Sequence, residues 1–276
     1  MTTQAIDTPH AGVALAPLPS SLGLAVRDTL AMTWRNLLTI RRLPQLLVFA
    51  TIQPLLFVLM FRYVFGGSIA VPGTDYVDYL MPGIFAQVIA FGAVNTAVGL
   101  AEDRNRGLIE RLRSLPMARS AVLAGRTLAD LVRNVFVVLL MLGVGFAVGF
   151  RIHTDVAKLA LGLLVLLAFG YALSWIFAFV GLSVPNAETA QAAAFPIMLP
   201  LVFASSAFVP TDDMPGWLQV FAEHQPVTAA VDAVRALVLG GPWGADVLAS
   251  LAWTAGILAV FVPLSVRSYR RGAATA

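Results

Sequence analysis

Long apolar segments alternate with short polar ones along most of the chain. A helix that crosses a bilayer needs about 20 consecutive, mostly apolar residues. Six segments satisfy this requirement and are predicted to be transmembrane helices, at 46–65, 80–101, 128–150, 157–184, 190–209 and 247–266. The hydrophobic pattern therefore predicts an all-α integral membrane protein with six transmembrane helices.

The polar region before the first apolar segment divides into two parts. Residues 1–20 are rich in Thr, Ala and Pro without periodicity, which indicates a flexible arm; residues 272–276 form a short tail at the other end. Between 22 and 42, apolar side chains recur at helical spacing among arginines, at Leu22, Val26, Leu30, Trp34 and Leu37. This pattern predicts an amphipathic helix along the membrane interface, with a soluble helix packed on a core as the alternative.

The segment between the fifth and sixth apolar segments contains two apolar pieces, and each is too short to cross a bilayer. The proline between them lacks a backbone donor and breaks the helix. An aromatic pair in the first piece suits the headgroup level, and an acid and an arginine three residues apart in the second can form an ion pair. We expect a helical hairpin over 214–239 that dips partly into the membrane; a structured loop that caps the bundle is the alternative. The side chains singled out are Trp217, Phe221, Pro226, Asp232 and Arg235.

The polar loop between the second and third apolar segments reads EDRNRGLIERLRSLP. Three leucines recur at helical spacing with charged residues between them, and Pro116 closes the pattern. The loop is predicted to form a short amphipathic helix over 102–115, which could dock a partner that supplies energy; an ordinary basic loop is the alternative. The candidate coupling residues are Glu102, Arg104, Arg106, Leu108, Glu110, Arg111, Leu112, Arg113 and Leu115.

Composition and charge agree with a membrane location. Hydrophobic residues make up 59% of the chain, charged residues only 12%, and this excludes a soluble globular protein. The net charge of +3 comes from arginines at the flanks of apolar segments, which favours membrane orientation over nucleic-acid binding. Arginine clusters at 27–42, 104–126 and 267–271 fall on one side if six helices span the membrane, so both termini are predicted to be cytoplasmic.

Residues that could supply catalysis or energy are scarce. The chain has no cysteine, and its single lysine, Lys158, is not in a phosphate-binding loop. The three histidines His10, His153 and His224 lack metal-ligand spacing. We therefore expect no catalytic residue, no metal site and no cofactor bound by this chain.

The predicted membrane helices also lack an obvious proton relay. Gln53, Gln87 and Asn95 are the central polar residues, and none of them titrates. Asp130 and Arg133, three residues apart near the start of the third helix, are predicted to pair, with Arg133 snorkelling toward the interface. Gly145 and Gly149 are predicted to allow close helix packing.

Two stretches resemble a known family. GLIERLRSLPMARSAVLAGRTLADLVRN at 107–134 and FPIMLPLVFASSAFVPTDDMPGWLQVFAEHQPVTAAVDAVRALVLGG at 195–241 are similar to the type-2 ABC exporter permeases, in particular the daunorubicin-resistance-like branch. The resemblance covers about 22–271. It implies that 22–42 is a connecting helix, 102–115 a cytoplasmic coupling helix and 214–239 an extracytoplasmic hairpin.

The resemblance also implies partners and a mechanism. Two permeases, identical or different, would assemble in the bacterial cytoplasmic membrane with two separate ATPase subunits that bind ATP and Mg. ATP binding would push the coupling helices, and a lipophilic cargo such as a drug, an antibiotic or an envelope lipid would leave through the outer leaflet, with the hairpin gating that exit. The candidate residues of the cargo groove are Phe57, Phe61, Phe85, Phe91, Asn95, Phe195, Met198 and Phe203. A proton-coupled multidrug antiporter, a permease for polysaccharides or lipid-linked glycans, and a non-transporting membrane scaffold are the alternatives.

Overall fold

The computed structural model describes residues 22–42, 45–67, 69, 71, 73–113 and 117–271, so the predicted arm, the tail and Leu115 lie outside the described residues. The described residues are helical, with no strand among them. In chain order the helices are α1 (Leu22–Arg42), α2 (Gln45–Leu59), α3 (Tyr76–Asn105), α4 (Leu108–Arg113), α5 (Arg119–Ala147), α6 (Val156–Ser183), α7 (Ala187–Phe203), α8 (Gly216–Glu223), α9 (Pro226–Leu239) and α10 (Gly244–Arg271). A π-helical segment, Met60–Phe65, continues α2, and a 3₁₀ turn, Thr211–Asp213, precedes α8.

Four of the described helices, α3, α5, α6 and α10, are long and apolar enough to cross a membrane. Two further apolar stretches are shorter, Ala50–Phe65 along α2 and its π-helical continuation, and Ala187–Phe203, which is α7. The chain is thus an all-helical, multi-pass membrane protein. Its 17-residue α7 is about 25 Å long at ~1.5 Å per residue, shorter than a hydrocarbon core of about 30 Å.

The predicted helix over 190–209 is wrong at its end, because α7 stops at Phe203. Pro196 and Pro200 lie inside α7 and remove backbone donors from its last turns. The Gln225 side chain then donates hydrogen bonds to the carbonyls of Leu201 (2.9 Å) and Ala204 (3.1 Å). One side chain of the hairpin region, Gln225, therefore satisfies carbonyls that a longer helix would have used.

Helix α3 lies at the centre of the bundle and packs against α5, α6, α7 and α9. It is apolar around most of its circumference, and most of its residues are buried, as expected of a central helix. Two glycines bring other backbone segments against it. Gly181 of α6 lies against the Ala97 backbone, and Gly83 of α3 lies against the Ala207 backbone, with no room for a Cβ atom at either position.

Helix α5 begins at Arg119, well before the start predicted at 128. Its first half packs against α1, where Gly125 touches Met32 and leaves no space for a side chain. The amphipathic α1 therefore covers the more polar beginning of α5. At the other end α5 stops at Ala147, and Gly149 lies in the following turn with φ +108°. The predicted helix-packing role of Gly149 is wrong for this reason, whereas Gly145 does face Met81 of α3.

The predicted hairpin consists of α8 and α9. Pro226 occupies the first turn of α9, where its missing N–H needs no helical partner. Helix α9 packs against α3, α6 and α10, and most of its side chains are buried. Trp217 (76% exposed) and Phe221 project from α8. The structure therefore shows two helices separated before Pro226, of which α9 packs into the bundle.

Candidate functional site

The α3–α4 elbow, comprising Glu102 to Arg113, differs from the predicted single helix over 102–115. Glu102 and Arg104 belong to the last turns of α3, and the chain turns at Arg106 and Gly107 before the short α4. Gly107 has φ +66°, a left-handed conformation that glycine adopts without steric cost and that commonly ends helices. The predicted bounds are therefore wrong, because the glycine separates two helices.

The described charged side chains of the elbow, which do not include those of Glu110 and Arg113, have different roles. Arg104 donates hydrogen bonds to the carbonyls of Leu182 (3.0 Å) and Val184 (3.4 Å), which fixes the end of α6. Arg106 forms an ion pair with Glu102, and both side chains are accessible to solvent. Arg111 is exposed on α4. All three arginines are thus exposed, and Arg104 in addition binds the end of α6.

The apolar side of α4 contains a residue that the sequence analysis did not single out. Ile109 is only 2% exposed and belongs to one buried cluster with Met32 of α1 and Leu123 of α5. Leu112 packs against the same cluster. The signal was present in the sequence, since Ile109 and Leu112 are three residues apart and share a helix face. Ile109 and Leu112 therefore join α4 to the buried cluster that α1 and α5 share.

Helix α1 is tied to both flanks of the elbow. Arg35 forms an ion pair with Asp103 at 3.4 Å, and the Asp28 carboxylate accepts a hydrogen bond of 3.0 Å from the backbone N–H of Ala118. The opposite face of α1 exposes Leu30 and Trp34, together with further apolar side chains. This arrangement agrees with a helix that packs on the bundle on one side and on lipid on the other.

A groove lies between α2 and α7, with α3 and α5 behind it, and it contains a cavity of about 220 Å³. We call it the α2–α7 groove. Three of the residues predicted to form a cargo groove line it: Phe91, Asn95 and Phe195. The other residues that line it are Ala50, Gln53, Pro54, Gln87, Val88, Gly92, Val94, Val98, Arg133, Asn134, Val137 and Gln191.

Phe85 and Met198, also predicted for the groove, are completely buried in the core instead. Phe85 makes an edge contact with Phe150, with ring centroids 6.2 Å apart. Because neither side chain reaches the α2–α7 groove, we assign both to helix packing. Their aromatic or sulfur-containing side chains could not reveal this from the sequence, since core and groove use the same residue types.

The remaining predicted groove residues, Phe57, Phe61 and Phe203, form an aromatic cluster with Phe208 near the α9 end of the bundle. The rings of Phe61 and Phe208 stack with centroids 5.0 Å apart, and those of Phe203 and Phe208 stack at 5.3 Å. Phe57 and Phe203 join α2 to α7 at 5.9 Å. The cluster therefore bridges the two helices that form the sides of the groove.

The predicted pairing of Asp130 with Arg133 is confirmed, with Oδ1 and Nη1 3.3 Å apart. Arg126 lies 3.5 Å from the other carboxylate oxygen of Asp130, which also accepts a hydrogen bond of 2.6 Å from Thr96. The buried network therefore contains two guanidinium groups and a single carboxylate. Both oxygens of that carboxylate are engaged, which gives Asp130 a structural role between α3 and α5.

The predicted snorkelling of Arg133 is wrong. Its side chain is 11% exposed and donates a hydrogen bond of 2.6 Å to the carbonyl of Gly92 on α3. Gly92 has no Cβ atom, and the Asn134 side chain of α5 occupies the space where one would lie. Arg133 therefore points toward α3 and lines the α2–α7 groove.

Gln87 is the least satisfied polar side chain of the groove. It is 2% exposed, and neither atom of its amide has a hydrogen-bond partner in the described part of the chain. A buried amide without partners costs about 1–3 kcal/mol. An unsatisfied group of this kind beside a cavity is a candidate for contact with a ligand.

The hairpin is held to the bundle by Arg235. Its guanidinium pairs with Asp232 at 2.6 Å, as predicted from their spacing, and donates a hydrogen bond of 2.7 Å to the carbonyl of Ser206. Burial raises the pKa of the Asp232 carboxyl, and the Arg235 charge opposes this shift. Tyr79 of α3 also donates to the Ser206 carbonyl, at 3.0 Å. These contacts satisfy the non-helical backbone that follows α7, which a membrane environment requires.

Together, a multi-pass helical bundle, a groove beside its central helix and a small helical elbow at one end define a membrane permease. The sequence model of the ABC-2 type transporter family matches residues 27–239, and the chain belongs to this family. It is therefore the membrane permease subunit of an ABC transporter.

Relatives align over most of the chain. It is 35% identical over 246 residues to the daunorubicin resistance ABC transporter permease protein DrrB1 of Streptomyces coeruleorubidus, covering 89% of this chain and 87% of that protein. It is 33% identical over 279 residues to the probable doxorubicin resistance ABC transporter permease protein DrrC of Mycobacterium tuberculosis, covering 96% of this chain and 98% of that protein. A putative transport permease, ycf38 of Cyanophora paradoxa, is 24% identical over 79% of this chain and 76% of its own length.

Proposed function

We propose that the chain exports a lipophilic cargo, a drug, an antibiotic or an envelope lipid, by means of a separate ATPase subunit that binds ATP and Mg. The observation that carries this proposal is the nearly end-to-end similarity to permease proteins named for daunorubicin and doxorubicin resistance. The work of ATP hydrolysis would then enter through a protein–protein contact.

We further propose six membrane crossings in the bacterial cytoplasmic membrane, with both termini in the cytoplasm. Four are the long apolar helices, and the other two are α7 and α2 with its π-helical continuation. The arginines near α1, the elbow and the end of α10 support this orientation, since short cytoplasmic loops are rich in basic residues. The hairpin of α8 and α9 would then lie on the outer side.

The elbow is the proposed contact with the ATPase. Arg106 and Arg111 are exposed there, while Ile109 connects α4 to the buried cluster with α1 and α5. A push on the elbow by the ATPase would shift α5, and with it the Arg133 side of the α2–α7 groove. A second permease, identical or different, would complete the assembly.

The aromatic cluster is the proposed barrier of the export route. It bridges α2 and α7 at the α9 end of the bundle through Phe57 and Phe203. The adjoining π-helical segment Met60–Phe65 is of a type that often occurs at functional sites. Separation of α2 from α7 at this level would open the groove toward the outer leaflet beside the hairpin.

Charge reversal at the elbow tests the coupling. The double variant Arg106→Glu and Arg111→Glu, coexpressed with the ATPase subunit, should lose copurification with it and lose ATP-dependent efflux. Arg270→Glu, at an exposed position on α10, is the matched control and should retain both. Normal copurification and efflux in the double variant would show that these arginines do not contribute to the contact.

A further inference from the structure

The described polar side chains of the α2–α7 groove supply hydrogen-bond donors and no negative charge. The described residues that line it include one arginine, Arg133, and five carboxamides, but no carboxylate. Carboxamide N–H groups and a guanidinium are hydrogen-bond donors that can surround an oxyanion. The carboxamides are Gln53, Gln87, Asn95, Asn134 and Gln191.

Arg133 is the one charged side chain among the described residues that line the groove. Its partner Asp130 lies behind the wall and is shared with Arg126, which also faces Asp103, so Arg133 is only partly neutralised. In a low-dielectric bundle such a charge acts strongly on nearby groups. It favours a negative group in the adjoining groove and opposes a positive one.

Gln87 adds an independent indication of a ligand. Its amide is almost completely buried beside the cavity, yet it lacks hydrogen-bond partners among the described residues. The remaining walls are apolar and include Val88, Phe91 and Phe195. A volume of about 220 Å³ is below the usual range for a whole drug-sized ligand, ~300–1,000 Å³, and suits a head group.

We propose that the α2–α7 groove binds the oxyanion head of an anionic amphiphile, with Gln87, Asn95 and Arg133 around the head and the apolar body between α2 and α7. This inference rests on the proposed function, since it specifies the chemical class of the exported cargo. The head can belong to a lipid phosphate or to an amphiphilic carboxylate, because both present the same acceptor oxygens. A cationic head is disfavoured at this position.

Binding measurements on the complex of permease and ATPase subunit in nanodiscs of zwitterionic lipid test this proposal. The probes are fluorescent amphiphiles with the same alkyl chain and a carboxylate, a phosphate or a trimethylammonium head, and empty nanodiscs provide the correction for partitioning. The complex should bind each anionic probe about tenfold or more tightly than the cationic one, a difference of ~1.4 kcal/mol. Equal binding of all three probes would overturn the proposal. A preference between carboxylate and phosphate would identify the source of the head.

Variants that add a negative charge to the groove should gain affinity for the cationic probe and lose affinity for the anionic probes. Gln87→Glu, and separately Asn95→Asp at a more exposed position, should weaken binding of the anionic probes about tenfold and strengthen binding of the cationic probe. The preference between the two kinds of probe would then be reversed. Gln219→Glu, at a partly exposed position of α8 outside the groove, is the matched control and should leave the preference unchanged. A misfolded variant would lose binding without gaining affinity for a cation. Unchanged binding in both groove variants would place the ligand elsewhere.

The binding assay is performed without ATP, so that its outcome is independent of coupling to the ATPase. If efflux requires ATP but the wild-type complex shows no preference for an anionic head, only this inference fails. If the permease does not associate with an ATPase at all, the proposed function fails, and binding to the isolated permease still decides the nature of the groove.

Discussion

The Arg235 guanidinium lies 3.7 Å from the centre of the Tyr79 ring and also donates a hydrogen bond of 3.3 Å to the Tyr79 backbone carbonyl. The hairpin helix α9 is thereby joined to the central helix α3 through both a cation–π contact and a hydrogen bond. The same guanidinium reaches Ser206 in the non-helical backbone after α7. One side chain thus connects three parts of the bundle at its α9 end.

Replacement of Arg235 by Gln should therefore loosen the hairpin. The change leaves Asp232 without its ion-pair partner and the Ser206 carbonyl without one of its donors. We expect a loss of roughly 1–3 kcal/mol in the free energy of unfolding, measured by thermal unfolding in detergent and by faster proteolysis at the hairpin. Gln219→Ala, at a partly exposed position of α8 whose side chain bonds Glu223 of the same helix, should have little effect. Equal stability of the two variants would contradict the anchoring role of Arg235.

Glycine contacts in the bundle give a second prediction. A Cβ atom at Gly83 or Gly181 would collide with backbone atoms of Ala207 or Ala97, and backbone cannot move aside as a flexible side chain can. Gly83→Ala and Gly181→Ala should each lower the free energy of unfolding by about 1–3 kcal/mol.

Gly256 supplies the control for these glycine variants, since it lies within α10 with open space at its Cβ position. Gly256→Ala should raise stability by roughly 0.5–1 kcal/mol, because alanine favours the helix. A similar change in melting temperature for all three variants would show that close packing at Gly83 and Gly181 is not important.

Truncation of Ile109 should uncouple the elbow from the bundle. Ile109→Ala removes the most deeply buried contact of α4 with the α1–α5 cluster but leaves the exposed arginines in place. Large-to-small changes in a core cost about 2–5 kcal/mol, which here would loosen α4. We expect retained copurification with the ATPase subunit and reduced efflux for each ATP hydrolysed. Leu248→Ala, at an exposed position of α10, is the control, and an unchanged ratio of efflux to hydrolysis in Ile109→Ala would count against this route.

The aromatic cluster predicts an effect on the closed state. Phe208→Ala removes the ring that stacks on both Phe61 and Phe203, so the contact between α2 and α7 should weaken. We expect faster passive leakage of a small fluorescent dye from liposomes that contain the complex without ATP. Phe146→Ala, outside this cluster at the exposed surface of α5, should show no added leakage. Equal leakage from the two variants would contradict a barrier at this position.

Local patterns predicted some of these features and missed others for physical reasons. The start of α9 at Pro226 and the pairs Asp130–Arg133 and Asp232–Arg235 depend on residues close together in sequence, and all of these predictions are confirmed. The end of α7 depends on Gln225, which is distant from Leu201 in the chain. The length of an apolar segment cannot report such a contact, and so it extended the predicted helix too far.

At the candidate sites, too, features set by nearby residues were predicted and features set by packing between helices were missed. The elbow was predicted as a loop helix, but its true start depends on the left-handed conformation of Gly107, which a single glycine in a helical pattern does not reveal. Arg133 was recognised, whereas its direction depends on an approach to Gly92 of another helix. The family resemblance and residue type therefore suggested candidates for the groove, but helix packing decided which of them line it.

The central claim is that the permease has no motor of its own and receives work through the elbow. The most direct test is transport of a fluorescent cargo by the purified permease in proteoliposomes, with and without its ATPase subunit. We predict transport only when the ATPase subunit and ATP are both present, and persistence of that transport when a protonophore removes the proton gradient. Transport by the permease alone, driven by an imposed ion gradient, would contradict this account.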